Sequence, residues 1–221
     1  MGLKSVFGKI GRKISGAFGV IVNVIEEIFT RGFGFPDFLF GWLLESLYSK
    51  KLRLTVVILT KPDGTLTTSV AGVERSIEHA EKTLKSGANI TFKKSDIRII
   101  DVTAPPYVLR VEAGISAFGD LFQAAGEYFR GNSEAGDLTA FVIDDVIGSV
   151  GSSASWADFI LLDNDGITRG STLVHEIGHA CVLYHWNNSN NFMKTPSSIS
   201  ANRVNWWQSN ILRSSRHVGY S

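Results

Sequence analysis

His175 and His179 stand four residues apart, with Glu176 directly after the first, in the run STLVHEIGHACVLYHWNNSNNFM from Ser171 to Met193. On a helix of about 3.6 residues per turn the two imidazoles fall one above the other, within reach of a single metal ion. Glu176 takes the adjoining flank, where a carboxylate can accept a proton from water held by such an ion. Ser171 or Thr172 is placed to cap the helix after Gly170.

Two histidines do not close a site. Catalytic zinc keeps three protein ligands and leaves a fourth position open, so a third donor is required. Beyond Glu176 the chain contains no Asp or Glu, and of its five histidines only His185 and His217 remain downstream. If the helix breaks after about Leu183, the chain can turn back and bring His185 to the same ion. His217, near a polar C-terminus, reads as solvated. His79 lies between Glu78 and Glu81 with no partner histidine at ligand spacing, and reads as a solvated or half-buried side chain. The single cysteine, Cys181, excludes an internal disulfide and falls on a helix face turned from the ligand pair, so it reads as a core residue.

The rest of the chain supplies an α/β frame. LRLTVVILT (52–60) reads as a buried strand followed by a Pro62-Asp63-Gly64 turn. Val73, Ile77, Ala80 and Leu84 mark one face of a helix over about 70–85. Strands are expected at 97–103, 107–112, 138–143 and 157–162, and a second helix over 115–129, ending before Gly131-Asn132. Asp163-Asn164-Asp165-Gly166 lacks the remainder of a calcium loop and reads as a tight turn.

Residues 1–50 form a separate apolar segment ahead of a body at 51–221. Leu3, Phe7, Ile10, Ile14, Ala17, Ile21, Val24 and Ile28 follow helical spacing, with Lys4, Lys9, Arg12 and Lys13 near the start. This amphipathic helical segment suits a membrane surface, a protein partner or the chain's own body. Glu26 and Glu27 stand where a signal-peptide cleavage site would need small residues, and the apolar run is too short to span a bilayer. With 22 basic against 21 acidic residues and no basic stripe, nucleic acid is not an expected partner.

HEIGHACVLYH resembles the metzincin zinc metalloprotease signature HExxHxxGxxH, and Phe192-Met193 resembles the Met-turn that follows it. The spacing to Met193 and the nearby Pro196 resemble the matrixin-like branch. The resemblance implies a twisted, mostly parallel five-stranded sheet with a backing helix, an active-site helix and a C-terminal helix at 199–213. It implies zinc (Zn2+) bound by His175, His179 and His185, with Met193 as the floor. Glu176 would be general base toward a metal-activated water in an endopeptidase acting on peptide or protein substrates. Gly151 to Trp156 would be the edge that pairs with substrate, and an apolar residue would be preferred after the scissile bond. The family also favours a secreted or membrane-associated location. Asp37 in GFPDF does not match the local motif of a zinc-capping prosegment aspartate.

The chain departs from the signature at Val182, where the family has the glycine of the bend. A β-branched residue resists positive φ, so either the bend is made elsewhere, over Tyr184, or His185 is displaced. The alternative function is a catalytically weak or inactive scaffold, acting as a binding or structural protein in a larger assembly or at a membrane.

Overall fold

Lys50–Thr60 is buried along almost its whole length and forms strand β1, with parallel neighbours on both sides. A strand placed in this way is covered on both faces over most of its length, which accounts for the consecutive aliphatic residues Val56, Val57, Ile58 and Leu59. The computed structural model of the chain describes residues 39, 47–112, 125–133, 137–153 and 158–220.

After β1 come helix α1 (Val70–Ala88), β2 (Ile90–Thr103), α2 (Pro106–Leu109), β3 (Arg110–Glu112), α3 (Gly126–Asn132) and β4 (Leu138–Val142). These are followed by β5 (Asp145–Ile147), β6 (Gly151–Ser153), β7 (Phe159–Leu162), α4 (Asn164–Thr168), α5 (Ser171–Ala180), α6 (Trp206–Ser214) and β8 (Val218–Tyr220). The main sheet runs β2, β1, β4, β7, β6 and is parallel except for the edge strand β6. β8 adds to the start of β1 in the antiparallel sense, and β3 with β5 makes a small parallel pair. The molecule is thus a mixed α/β fold on a mostly parallel sheet.

The alternation of side chains along a strand divides the core in two. Leu52, Leu54, Val56 and Ile58 of β1 pack with Val73, Ile77, Ala80 and Leu84 of α1 and with Leu173, Val174 and Ile177 of α5. Val57 and Leu59 point the other way, onto Phe129, Phe141 and Phe159. The helical stripe read from the sequence is therefore the core face of α1. α1 begins at the Ser69 cap and ends where Asn89 takes a left-handed conformation, three residues beyond the expected stop at 85.

Several expectations are corrected. β2 starts at Ile90 rather than 97, because its charged first half is ordered by pairing with β1 along that strand's length. Residues 106–109 form a helical turn, so only the end of the expected 107–112 strand is extended. α3 runs through Gly131 and Asn132 instead of stopping before them; most of the 115–129 expectation lies outside the described residues. The Asp163 turn is the N-cap of α4, its carboxylate accepting from the Gly166 N–H. The C-terminal helix starts at Trp206, not 199, at a reciprocal Asn205–Gln208 capping box. His217 is buried rather than solvated, because the β8 strand that follows it is drawn onto the sheet.

Of the apolar segment 1–50, residues 1–38 and 40–46 lie outside the described residues, as do Ala154 to Trp156 of the expected substrate edge. No described helix is long and apolar enough to cross a membrane.

α6 is tied to the sheet by Arg213, which is fully buried. Its guanidinium donates to the carbonyls of Ala88, at the end of α1, and Tyr48, ahead of β1, at 3.0 and 2.9 Å. Lys50 Nζ donates back to the Arg213 carbonyl. Replacing the guanidinium strands those two carbonyls in the interior. Arg213→Met is therefore expected to lower unfolding stability by about 3 kcal/mol, read from urea denaturation; a loss below about 1 kcal/mol would mean that these contacts do not hold α6.

Candidate metal centre

α5 carries the first two histidines. Its first residues, Ser171 and Thr172, do not cap it as expected: Gly170, at φ 74°, holds the N-cap position without a side-chain bond. Both hydroxyls instead lie 3.4 Å from the Ser197 hydroxyl. The helix stops at Ala180, earlier than the expected Leu183.

The stop is a left-handed C-terminal turn. The Leu183 N–H reaches back to the Gly178 carbonyl at 2.8 Å, and the Val182 N–H to the His179 carbonyl at 2.9 Å. This paired pattern needs a residue in the left-handed region between the two donors, a place usually taken by glycine. Val182 occupies it at φ 70°. The bend is thus made at Val182 itself and not over Tyr184. A β-branched residue held there stores about 1–3 kcal/mol of strain, against which stands the burial of its side chain, 4% exposed.

Beyond the bend, His185 returns to the other two rings. His179 Nε2 lies 3.2 Å from His175 Nε2 and 3.0 Å from His185 Nε2, and the three donor atoms fit within 4.8 Å of one another. The far nitrogens of the first two rings are engaged: His175 Nδ1 with the Phe192 carbonyl at 2.9 Å, His179 Nδ1 with the Leu183 carbonyl at 2.7 Å. A carbonyl only accepts, so each Nδ1 carries the proton and each Nε2 turns a lone pair inward. Burial pushes the pKa of all three histidines down, that of His179 to about 4, which favours the neutral, ligating form.

Converging lone pairs repel one another unless a cation lies between them. Tetrahedral zinc with bonds of about 2.0–2.1 Å separates its ligand nitrogens by about 3.3 Å, close to the two spacings from His179 Nε2. Three imidazoles with no thiolate suit zinc; Cys181 is buried in the core, as its helix face implied. The donor set fits Zn2+. His79 is half-buried on α1 and His217 lies outside the cluster.

Glu176 is buried beside the rings, with Ser153 Oγ donating to its Oε2 at 2.8 Å. Burial raises its pKa to about 7, opposed by the Ser153 bond; a nearby cation acts in the same direction as Ser153. Gly151 makes room for this carboxylate, since a Cβ there would meet Glu176 Cγ and Oε1 at 3.0 Å. Glu176, the three histidines and strand β6 line one cleft of about 590 Å³.

Met193 is fully buried beneath the helix, against Gly178, where an added Cβ would come within 2.3 Å of Met193 Sδ. Its N–H donates to Asn191 Oδ1 at 2.9 Å. Asn191 in turn exchanges two amide bonds with Gln208 of α6, at 2.6 and 3.2 Å. Sequence reasoning missed Ser153, Asn191 and Gln208 as supports of the site. The spacing of Asn205 and Gln208 is a capping-box pattern and would have located α6; nothing local marks the other two.

No protein-family model matches the chain, and no curated protein matches it. Among solved structures it is similar to metalloproteinase-II from Bacteroides fragilis, at 17% identity and TM-score 0.45, over 70% of this chain and 49% of that one. It is also similar to archaemetzincin from Methanopyrus kandleri, at 14% identity and TM-score 0.49, over 74% of this chain and 95% of that one. The chain spans about half the length of the Bacteroides fragilis structure. At these low values the reading of the site rests on its own geometry.

Two substitutions test that geometry. Gly178→Ala pushes Met193 and Phe192 away from the helix and with them the carbonyl that orients His175, so zinc affinity is expected to fall about 10- to 100-fold, measured by competition with a chromogenic chelator. Unchanged affinity would mean that the packing under the helix does not set the ligands. Val182→Gly removes a side chain whose burial is worth about 2 kcal/mol but also releases strain of similar size. Its melting temperature should therefore shift by only about 3 °C or less, and a much larger fall would show that Val182 is not strained.

Proposed function

We propose that the chain is a zinc-dependent endopeptidase of the metzincin type, with His175, His179 and His185 as ligands, Glu176 as general base and Met193 as the floor of the site. The observation that carries this reading is the convergence of three Nε2 lone pairs, two of them fixed by Nδ1–carbonyl bonds, beside a buried carboxylate in an open cleft. Three histidines leave a position on the metal for water or substrate, the arrangement of a catalytic rather than a structural zinc. The Met193 loop under α5 supports the finer likeness to the matrixin-like branch.

Zinc bound there would supply Lewis acidity toward water and the peptide carbonyl. Glu176 takes the proton of the attacking water and returns it to the leaving amine. The Ser153 hydroxyl occupies one carboxylate oxygen and so leaves Oε1 for that exchange. Among the described strands β6 is the sheet edge beside Glu176, and the side that no described strand pairs can receive an extended peptide as an added strand. The same strand therefore aligns the substrate backbone and steadies the base. Val182, the departure from the signature, makes the turn that brings His185 to the cluster, which supports an intact site over an inactive scaffold.

Glu176→Gln is expected to keep zinc at one ion per chain, by mass spectrometry of metal content, while kcat/KM on quenched-fluorescent peptides falls about 10²- to 10⁴-fold. Turnover close to wild type would remove Glu176 from the role of base. Chelation should abolish wild-type cleavage and added zinc restore it; cleavage that survives complete zinc removal would refute the metallopeptidase reading.

A further inference from the structure

The wall of the cleft beside the start of α5 is built from Arg169, Thr172, Thr195, Pro196 and Ser197. Thr172 and Ser171 present hydroxyls to Ser197 rather than apolar side chains, as the 3.4 Å contacts record. Among the described residues lining the cleft, only Val150 and Pro196 bring an aliphatic side chain larger than a methyl group, and none is Leu, Ile, Met, Phe, Tyr or Trp.

Its charge is one-sided. Arg169 is the only Arg or Lys among the described lining residues, and Glu176, the only carboxylate, is buried at the base of the cleft. Arg169 pairs with Asp165, one turn earlier, at 4.0 Å, with both side chains more than half exposed. That separation is too long for a hydrogen bond, and an exposed pair of this kind holds the guanidinium weakly. Its fork of N–H donors matches a carboxylate in geometry and charge.

We propose that the cleft selects peptides through a carboxylate that pairs with Arg169. This rests on the peptidase reading above and names its substrate class. Arg169 and the three histidines line the same cleft, so the carboxylate recognised lies near the scissile bond. It is either an Asp or Glu side chain or the C-terminal carboxylate of a short substrate.

The test measures binding as well as cleavage. Zinc-loaded Glu176→Gln protein is titrated, by fluorescence anisotropy, with labelled peptides that differ at one position as Glu, Gln, Lys or Leu, each with a free or an amidated C-terminus. The Glu peptide is expected to bind about fivefold more tightly than the Gln and Leu peptides. Arg169→Glu, made on the same background, is expected to abolish that preference and to favour Lys, while Asp165→Asn strengthens the preference for Glu. If only the free C-terminus matters, the carboxylate recognised is the terminal one. Equal binding of the Glu, Gln, Lys and Leu peptides at either terminus, or a preference that Arg169→Glu leaves unmoved, overturns the proposal. Arg169-dependent binding with no cleavage by the zinc-loaded wild type would sustain it and sink the peptidase reading; cleavage indifferent to carboxylates would do the reverse.

Discussion

The turn at Val182 is the constraint on which the metal centre depends. Helix α5 can present only His175 and His179 from its own surface, because a third ligand six residues on would have moved around the cylinder. The chain must leave the helix and reverse within three residues. It does so through two backbone bonds, Leu183 to Gly178 and Val182 to His179, with Val182 forced into the left-handed region. The same turn aims the Leu183 carbonyl at His179 Nδ1. One local structure therefore both delivers His185 and fixes the tautomer of His179.

Beneath the helix a second set of contacts makes that arrangement rigid. Gly178 has no side chain, and Met193 fills the space. The Met193 loop gives its Phe192 carbonyl to His175 and is held by Asn191, which is locked to Gln208 in α6. Arg213, further along α6, anchors that helix to the end of α1 and the entry to β1. The ligand geometry thus traces back through buried, hydrogen-bonded polar groups to the central strand. Groups of this kind are costly when half-satisfied and specific when complete.

On the open side of the cleft, the edge strand of the described sheet holds the buried carboxylate. In β6, Gly151 and Ser153 face Glu176 while the outer edge has no partner among the described strands. A glycine gives the carboxylate room and a serine orients it. The Ser153 bond and burial pull the acidity of Glu176 in opposite directions, and burial dominates in the protein alone.

The sequence by itself determined what local spacing can encode. The i, i+4 pair His175 and His179 needed only a helix to share a face, and the absence of later acidic residues left His185 and His217 as the candidates for a third ligand. The stripe Val73, Ile77, Ala80, Leu84 needed only helical periodicity, and the β1 run only its β-branched and aliphatic content. Tertiary structure decided the rest. The charged half of β2 became a strand because β1 offered a parallel partner, and His217 was buried because β8 paired with the same strand. Val182 took a conformation its own side chain disfavours because the helix end and the buried loop around it permit no other path. Periodicity and motif spacing record what a segment prefers alone, whereas strand pairing, burial and imposed strain are set by partners far away in the chain.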